Sequence, residues 1–599
     1  MTQGQLKIHS ENILPIIKQW LYSSKDIFLR ELVSNACDAL TKFARLCEEA
    51  DRENFRIDVK VDTENRRITI SDNGIGMTGQ EVETYIAQIA FSGAEEFLKK
   101  YETHQEQDQV IGHFGLGFYS AYMVASLVTI QTFSYQQGAE PVCWSCDGSS
   151  IYHLEPGTRQ ERGTDIILQL AADEDEYLDH KRLSDILHHY CAFLPHPIYL
   201  NGTRINDQPP LWLKAPSECT NQEYLAFYRK LFPLDAEPLF WIHLNVDYPF
   251  NLKGILYFPH VAQERDFKKD SIKLFCNRVF VADHCQDVLP EYLTVLRGAI
   301  DSPDIPLNVS RSTLQLDRTV RQLGQHICKK VADRLCSLYK EECSRFLEIW
   351  ADLELVIKFG LLQDEKFYDR VKECVIWKQA NGEWATLEDL LAGKEEKKLY
   401  YASYDMEHHD LLKLYKEKGL PVFLIRTHHP LDLAVLHRIE EKTSACFTRI
   451  DANLDEAILD PTREKNLLDA EGKTEGSKIA TFFQKQLGLE ATQVEAKSLA
   501  SHSLPALLMQ QEQQRRLQEQ LAYHKQTRLP FKPTLVLNTN HKLIQAIYSL
   551  EAKQPQLAQD LAQQVYDLAL LSQREMDPDK LSGFVTRTTE LLEKLTCTS

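Results

Sequence analysis

Three short stretches of the chain decide its interpretation, and the first is Glu31–Asp38, with the sequence ELVSNACD. The second is Asp72–Gly76, with the sequence DNGIG, and the third is Gly112–Gly117, with the sequence GHFGLG. Positions 31, 35 and 38 are spaced by four and three residues, so their side chains fall on one stripe of a predicted helix. Two carboxylates and one amide occupy that stripe, whereas a core-facing stripe is apolar.

The polar stripe suits a magnesium nucleotide, and it equally suits an ordinary surface helix. An amide oxygen such as that of Asn35 can bind a hard cation. A carboxylate such as that of Glu31 can polarise the water that attacks a terminal phosphate, and Asp38 adds a second carboxylate. Taken alone, the stripe leaves both interpretations open.

The two glycine-containing stretches supply further parts of such a pocket. Asp72 ends a predicted strand, and the glycines after it permit positive φ and close approach of a ligand, so its carboxylate can accept a hydrogen bond from the adenine amine. Asp-Asn-Gly is also common in plain turns. The glycines of Gly112–Gly117 precede the apolar run Phe118–Val124, which predicts an anion site at the start of a helix. The Lys-Ser/Thr ending of a P-loop does not follow, which argues against that fold.

Length and charge restrict the class of protein. The chain has 599 residues, 43% of them hydrophobic and 26% charged, and this length predicts three or four domains. We expect no membrane partner, because no apolar run is long enough to span a bilayer and the N-terminus lacks a signal-peptide pattern. A cytoplasmic location follows as the expectation. The formal charge of −19 disfavours nucleic acid as a partner.

The 14 cysteines are scattered without framework spacing, which predicts reduced and mostly buried thiols. Cys143 and Cys146 form the one close pair. Neither a second pair nor histidines at zinc spacing accompany them, so we predict two structural thiols in or near a strand.

Hydrophobic patterning divides the chain into three predicted domains, residues 1–208, 209–480 and 481–599. The first alternates helical and strand patterns, which predicts a helix-plus-sheet sandwich, and Pro209 and Pro210 mark its end. The second is also α/β, with long helices over about 315–360, and the third is mainly helical. The predicted strands include a hairpin over residues 56–71 and the runs Leu239–Val246, Gly254–Phe258 and Thr534–Asn538.

In this order and spacing, the three opening stretches resemble the N, G1 and G2 boxes of the GHKL ATPase superfamily, which includes gyrase, histidine kinases, mismatch-repair ATPases and the heat-shock protein 90 chaperones. Longer runs are similar to the heat-shock protein 90 family in particular: Asp26–Ala36, Ile111–Ser120, Leu289–Leu293 and Ile305–Arg311. The chain resembles the bacterial type, because it shows no acidic C-terminal tail, no endoplasmic-reticulum retention signal and no long charged linker between the first two domains.

The resemblance implies an α/β (α+β) multidomain fold with an N-terminal Bergerat-type ATPase sandwich, an α/β middle domain and a mainly helical C-terminal dimerisation domain. It implies ATP and Mg²⁺ as cofactors, with Asn35 as the magnesium ligand. The implied catalytic residues are Glu31, which orients or activates water, and Arg311 and Gln315 from the middle domain. The residues implied to line the ATP pocket are Asn35, Asp38, Lys42, Asp72, Gly76, Met77, Gly112, Gly115, Leu116, Gly117, Phe118 and Thr164.

The lid implied by the resemblance covers residues 88–111, and here the chain departs from the common family pattern. Phe91 stands where many relatives carry a lysine, and Ala94 and Glu95 replace Thr-Lys. Ser312 occupies a position that is often Glu. We therefore expect the lid to make fewer charged contacts with phosphate than it makes in relatives.

The implied activity is that of an ATP-dependent homodimeric chaperone that binds client polypeptides, with co-chaperones possible. Amphipathic patterns in the last domain suit a dimer or an intradomain helix bundle; their apolar positions are Leu561, Val565, Leu568, Leu571, Phe584, Leu591, Leu592 and Leu595. The Phe240–Trp241 neighbourhood and a predicted helix over 507–509 are either client surface or core. A DNA-directed GHKL ATPase is the rival interpretation, although its relatives use a lysine in place of Arg311. A histidine kinase needs a phosphoacceptor helix before the N box, and only 30 residues precede Glu31.

Overall fold

The computed structural model describes residues 24–46, 52–88, 111, 115–261, 272–283, 288–305, 307, 318–392, 397–404, 410–426, 430–460, 474–488, 494–512, 514, 516, 533–573 and 576–597. The chain divides into two compact units, residues 1–334 and 335–599. None of the described helices is long and apolar enough to cross a membrane.

The first part of unit 1 is a mixed sheet covered by helices. Its helices are α1 (Ile27–Ala44), α2 (Gly79–Tyr85) and α3 (His180–Cys191), with a 3₁₀ helix at Gly117–Met123. Its strands are β1 (Ile57–Asp62), β2 (Arg67–Asp72), β3 (Ala125–Phe133), β4 (Val142–Cys146), β5 (Tyr152–Pro156), β6 (Gly163–Leu170), β7 (Ile198–Leu200) and β8 (Thr203–Arg204). Over the described residues the strand order is β5-β4-β3-β6-β2-β1-β7-β8.

Alternating burial places one face of this sheet against α1. In β2 the residues Ile68, Ile70 and Asp72 are buried and alternate with more exposed neighbours. The apolar side of α1 packs into the same core through Phe28, Leu29, Leu32, Val33 and Leu40. The helix therefore packs over the sheet, and the loop that follows β2 contacts it at Ala39, where the Ile75 N–H donates to the Ala39 oxygen at 3.1 Å.

The remainder of unit 1 is built on a second sheet, of strand order β12-β11-β13-β10-β9 in the described residues. Its elements are α4 (Asn221–Leu231), β9 (Phe240–Val246), β10 (Leu252–Phe258), β11 (Ile272–Cys276), β12 (Val279–Ala282) and β13 (Arg297–Asp301). An aromatic core that includes Trp212, Phe227 and Phe275 lies under it. Helix α5 (Arg318–Glu341) follows and contains the division between the units.

Unit 2 begins with helices and small sheets and ends with three helices. Its helices are α6 (Cys343–Glu348), α7 (Trp350–Gln363), α8 (Glu365–Val371), α9 (Leu387–Leu391), α10 (Asp410–Glu417), α11 (Pro430–Lys442), α12 (Glu475–Leu487), α13 (Lys542–Leu550), α14 (Pro555–Ser572) and α15 (Pro578–Cys597). Its strands are β14 (Ile376–Lys378), β15 (Trp384–Thr386), β16 (Lys398–Ser403), β17 (Val422–Ile425), β18 (Cys446–Arg449), β19 (Val494–Lys497), β20 (Ala506–Met509) and β21 (Thr534–Asn538). The sheets pair as β14-β15, β17-β16-β18 and β19-β21-β20.

The predicted α/β multidomain fold class is confirmed, as are the hairpin, the long helices after residue 315 and the short strand before α13. One element was predicted wrongly. Residues 507–509 form strand β20 rather than a helix, and Leu507 and Leu508 are buried against β21, so this segment is core. Phe240 is also buried, and Trp241 stacks on Tyr224 with ring centroids 4.9 Å apart. The three domain boundaries stay predictions.

Candidate functional site

Helix α1 presents its polar stripe at the surface of the first core. Glu31 and Asn35 are half-buried and Asp38 is buried, while the residues between them on the core side are buried and apolar. The helical prediction for 31–38 is therefore confirmed. The stripe carries oxygen donors of the kind that a magnesium nucleotide requires.

At the first end of the stripe, the carboxylate of Glu31 is held by Arg30. The guanidinium donates from Nε at 2.9 Å and from Nη2 at 2.5 Å to Glu31 Oε1, and Arg30 itself is 1% exposed. The other side of Arg30 faces the ring of Tyr190 on α3, at 5.7 Å from the centroid. A buried guanidinium thus fixes the direction of the Glu31 side chain.

Glycine backbone covers the other oxygen of Glu31. A Cβ at Gly117 would lie 2.5 Å from Glu31 Oε2, so a larger residue at 117 would displace the carboxylate from its position beside the 3₁₀ helix. Gly115 has φ of +62°, which also favours glycine. Leu116 packs against the core and Phe118 is buried beside Trp144, which anchors the short helix. The predicted Gly112 lies outside the described residues.

At the last position of the stripe, Asp38 is tied to Ile111, the last residue of the predicted lid. The backbone N–H of Ile111 donates to Asp38 Oδ1 at 2.7 Å. One turn further along α1, burial lowers the pKa of Lys42, and the carboxylates of Asp38 and Glu81 oppose that effect. Asp38 therefore links the pocket helix to the end of the segment 88–111, of which residues 89–110 lie outside the described residues.

At the end of β2, three buried polar residues form one row across the sheet. Asp72 pairs with Thr164 on β6, and Thr164 pairs with Thr132 on β3. The hydroxyl oxygens of Thr132 and Thr164 are 3.0 Å apart. Thr132 Oγ1 also accepts a hydrogen bond from the backbone N–H of Met77 at 2.9 Å. The row joins the carboxylate predicted to read adenine to the loop that carries Gly76 and Met77.

The loop after Asp72 makes two close backbone approaches. A Cβ at Gly74 would lie 2.6 Å from the carbonyl carbon of Ala39 on α1, and the N–H of Ile75 donates to Ala39 O at 3.1 Å. Gly76 has φ of +65°, and a Cβ there would lie 1.9 Å from Phe133 O. Both glycines are needed for the loop to fit between α1 and β3.

The carboxyl group of Asp72 has an unusual environment. Burial raises its pKa from the ordinary 3.8 to about 7, whereas the Gly74 N–H, which donates to Oδ1 at 2.8 Å, acts in the opposite direction. Arg159 and Arg162 also lower the pKa, and Asp165 raises it. Near neutral pH this side chain is therefore close to the point at which it changes from hydrogen-bond donor to anionic acceptor.

The two ends of the site are separated by a fixed length of helix. The glycine backbone meets α1 at Glu31 and the Asp72 loop meets it at Ala39. Eight residues of α-helix span about 12 Å, which is comparable to the length of an extended nucleoside triphosphate. The two loops therefore meet the helix at points that are separated by about the length of a nucleotide.

Most of the predicted pocket residues are brought together, and several contacts were not foreseen. Arg30, Thr132, Arg159 and the Ile111 N–H contact site residues directly. Of these four, only Thr132 could have been found from the sequence, because it is a polar residue at a buried position of an alternating strand. Arg311 and Gln315 lie outside the described residues. Within the described part of the chain, no group of three or more His, Cys, Asp or Glu side chains is placed to hold a metal ion.

Comparison with known proteins agrees with this geometry. Residues 201–597 match the family model described as Hsp90 protein, and residues 22–176 match the model described as histidine kinase-, DNA gyrase B- and HSP90-like ATPase. The chain is 41% identical over 588 residues to chaperone protein htpG of Bacteroides fragilis, which covers 92% of this chain and 85% of that protein.

Two further relatives extend the comparison. Chaperone protein HtpG of Porphyromonas gingivalis is 39% identical over 619 residues, covering 96% of this chain and 89% of that protein. Heat shock protein 75 kDa, mitochondrial, of Rattus norvegicus is 27% identical over 622 residues, covering 99% of this chain and 87% of that protein. The Hsp90 model covers the middle and C-terminal regions, which decides against the DNA-directed and histidine-kinase interpretations. The chain therefore belongs to the Hsp90 family of ATP-dependent chaperones.

Proposed function

We propose that α1 holds ATP along its polar stripe, with the terminal phosphate at Glu31 and adenine at Asp72. The observation that carries this proposal is the spacing of the two loop contacts on one helix, at Glu31 and at Ala39. Each end offers the matching chemistry: glycine backbone and a carboxylate at one, and a buried hydrogen-bonding carboxyl group at the other.

Glu31 is the residue that acts on water in this proposal. Its carboxylate is half-buried and fixed by Arg30, so it can orient a water molecule toward a phosphate lying beside Gly115–Gly117. Leu116 and Phe118 are the anchors of that backbone, and Gly112 belongs to the same predicted loop. Arg311 and Gln315, from the chain between β13 and α5, complete the proposed catalytic set, since positive charge near the developing phosphate charge promotes phosphoryl transfer.

Asn35 fits the role of magnesium ligand. Its half-buried amide lies one turn from Glu31 on the same stripe, and hard cations prefer oxygen ligands of this kind. A bound Mg²⁺ would neutralise phosphate charge. Asp38 and Lys42 line the pocket between its ends, and Gly76, Met77 and Thr164 complete the adenine end.

The magnesium role can be tested with Asn35→Ala, because the amide is the only group removed. ADP is titrated into the full chain by calorimetry with Mg²⁺ and with a chelator. Asn65→Ala is the matched control, because it removes an exposed amide from the β1–β2 turn. We expect Mg²⁺ to tighten ADP binding by the wild type and by Asn65→Ala, and to have no effect on ADP binding by Asn35→Ala. An equal Mg²⁺ effect in all three proteins would overturn the assignment.

We infer that the chain forms homodimers through the last two helices. Two half-exposed leucines on α14, Leu568 and Leu571, and three residues on α15 leave apolar surface in solvent; the α15 residues are Leu581, Val585 and Leu592. Val585 is 54% exposed and Leu592 is 58% exposed, which is unusual for apolar residues of a helix pair. Between copies of this chain, such a face would be buried as an isologous interface.

The dimer proposal is tested by sedimentation of Val585→Glu and Leu592→Glu, since a buried unpaired charge opposes association. We expect both variants to sediment as monomers at concentrations where the wild type is dimeric. Leu234→Glu is the matched control, because Leu234 is an exposed leucine of unit 1, 97% accessible, outside the proposed face. Unchanged sedimentation of both α15 variants would contradict the proposed interface.

Client polypeptides are the partners this dimeric ATPase is proposed to act on, in the cytoplasm and with co-chaperones possible. The test is suppression of aggregation of a heat-denatured protein, with and without ATP. We expect ATP to change the extent of suppression by the wild type and not by Glu31→Gln. An ATP effect of equal size in both proteins would contradict coupling of the pocket to client binding.

A further inference from the structure

We propose that Arg159 is a positioning residue for Asp72, which it holds against the start of β6 so that the carboxyl group meets the purine base in one fixed direction. This inference rests on the proposed role of Asp72 as the adenine reader. Arg159 lies in the connection between β5 and β6 and was not part of any predicted site. Its guanidinium lies within contact of four groups around the strand ends.

The contacts of Arg159 converge on both strands of the adenine end. Nη2 donates to the backbone oxygen of Asp72 at 2.8 Å and lies 3.4 Å from the backbone oxygen of Arg162. Nε donates to Glu161 O at 2.9 Å, and Nη1 forms an ion pair with the carboxylate of Asp165. Arg159 is only 14% exposed, so these bonds are partly shielded from water. A flat guanidinium can bridge several acceptors at once, which an ammonium group cannot do with fixed geometry.

A glycine keeps the space through which Arg159 reaches Asp72. Gly163 has φ of +124°, and a Cβ there would lie 2.1 Å from Asp72 O and 2.7 Å from Arg159 Nη2. Any larger residue at 163 would occupy the position of this hydrogen bond. The arginine and the glycine therefore form one local arrangement that closes the end of β2 onto the start of β6.

The arrangement fixes the residue pair at the adenine end. Gly163 directly precedes Thr164, which is the register partner of Asp72, and Asp165 is the partner of Ser71. Because Arg159 bonds to the backbone of Asp72 and to the side chain of Asp165, it restrains both members of the strand pair. Loss of these bonds would let the β2 end fray, and the carboxyl group of Asp72 would lose its fixed direction.

Charge supports the same role. Within the described residues, the charged groups that act most on the pKa of Asp72 are Arg159, Asp165 and Arg162. Arg162 lies over the ring of Phe43, with its guanidinium carbon 3.4 Å from the centroid. Of the two arginines, Arg159 lowers the pKa of Asp72 more, and this opposes the effect of burial. Removing its charge would favour the protonated carboxyl group, which is a poorer acceptor for an adenine amine.

The test compares Arg159→Gln with Arg66→Gln. Arg66 is a matched control, because its Nη2 donates to a backbone oxygen, that of Ala171, at 2.8 Å and pairs with Asp175, but at the opposite end of β2. Arg66 and Asp72 are six positions apart along the chain, which corresponds to about 20 Å in a strand. ADP and inosine diphosphate are titrated into the full-length proteins by calorimetry between pH 5.5 and 8.5. Inosine carries an oxygen where adenine carries its amine.

We expect Arg159→Gln to weaken ADP binding at pH 7 about tenfold, the effect of weakening one hydrogen bond to a charged group. Inosine diphosphate affinity should change less than twofold, so the ratio between the two ligands falls. The pH midpoint of ADP affinity should move up by about one unit. Arg159→Lys keeps the charge without the fixed bridge, and is expected to weaken ADP binding with an unchanged pH midpoint. Arg66→Gln should match the wild type in every measurement.

The outcomes distinguish failure of the Arg159 positioning role from failure of the proposed adenine role of Asp72. If Asp72→Asn loses ADP binding while Arg159→Gln keeps the wild-type ligand ratio and pH midpoint, the positioning role is wrong and the adenine role stands. If Asp72→Asn binds ADP like the wild type, the adenine role itself is wrong. Equal weakening of both nucleotides by Arg159→Gln would show a general structural effect and would overturn the positioning role. If Arg159→Gln does not fold, the Arg159→Lys variant tests the positioning role: wild-type ADP affinity in this variant would overturn it.

Discussion

The two ends of the pocket helix place carboxyl groups in opposite environments. Glu31 contacts a buried guanidinium and glycine backbone, so its negative charge has a partner. Asp72 is 6% exposed and shares its surroundings with threonine hydroxyls and a backbone N–H, and burial raises its pKa to about 7. One carboxylate is compensated and fixed, and the other is desolvated and responsive to pH.

This difference matches two different tasks on one ligand. A group that acts on water must hold one direction, and the Arg30 ion pair fixes the direction of Glu31. A group that reads a base discriminates through buried hydrogen bonds, which are costly when left unmade. In the proposed function, the same helix therefore carries the group for chemistry, Glu31, and contacts the loop for recognition near Ala39.

The largest expected effect is at the chemical end. Glu31→Gln removes the carboxylate without changing its volume, so ATP hydrolysis should fall about 100-fold or more, while binding stays intact. Single-turnover hydrolysis of bound ATP measures this step directly. Glu64→Gln, an exposed glutamate in the β1–β2 turn, serves as the control and should hydrolyse ATP at the wild-type rate. Hydrolysis by Glu31→Gln at the wild-type rate would remove Glu31 from catalysis.

A smaller effect is expected when Glu31 is displaced rather than removed. The Cβ of Gly117→Ala would meet Glu31 Oε2 at 2.5 Å and push the carboxylate aside, which should lower kcat about tenfold. Gly79→Ala is the matched control, since its Cβ would meet only Val142 Cγ2 at 3.8 Å. The measurement is the steady-state rate of ATP hydrolysis by each variant, with its melting temperature recorded to check that it is folded. Equal rates in Gly117→Ala and Gly79→Ala would contradict close contact between the loop and Glu31.

The recognition end is expected to show pH dependence. Because the pKa of Asp72 is about 7 without nucleotide and the adenine amine favours the anionic form, binding should release a proton below that pH. ADP affinity should therefore rise with pH by up to about tenfold per unit below pH 7 and level off above it. Calorimetry in buffers of different ionisation enthalpy counts the released proton. A flat profile in the wild type, like that expected for Asp72→Asn, would place the titrating group elsewhere.

The smallest effect concerns stability without nucleotide. The folded-state pKa of Asp72 is raised above the ordinary 3.8, so its contribution to stability is complete below about pH 4 and is lost as the pH rises through about 7. Asp72→Asn cannot ionise, so relative to the wild type it should gain a few °C in melting temperature between pH 5 and pH 8. Scanning calorimetry of the transition that ADP shifts measures this difference. A melting difference that is constant with pH would show that Asp72 does not titrate in this range.

The parts of the site that sequence predicts are those with local signals. Helical spacing brings positions 31, 35 and 38 together without reference to the rest of the chain, and strand alternation places Asp72 at the end of β2. Thr164 was implied only by family resemblance, because its pairing with Asp72 depends on strand register between distant segments. Residues 507–509 were assigned to a helix since a short apolar run fits either structure.

The contacts that sequence does not predict are those made by long polar side chains across the fold. Arg30 is adjacent to Glu31 in sequence, yet its burial depends on α3 and on Tyr190. Arg159 is 87 residues from Asp72 and reaches it only because Gly163 leaves the space open. Neither position carries a periodic pattern that would distinguish it from an ordinary surface arginine.

The most direct test of the two-ended pocket is one calorimetric series at pH 8, in which ADP is titrated into the wild type, Glu31→Gln and Asp72→Asn. We predict that Glu31→Gln binds ADP within about threefold of the wild type, since it loses only chemistry, and that Asp72→Asn binds at least about 100-fold more weakly, since a buried reader of the base is lost. Wild-type ADP affinity in Asp72→Asn, or loss of ADP binding in Glu31→Gln instead, would contradict the assignment of adenine to one end of the helix and phosphate to the other.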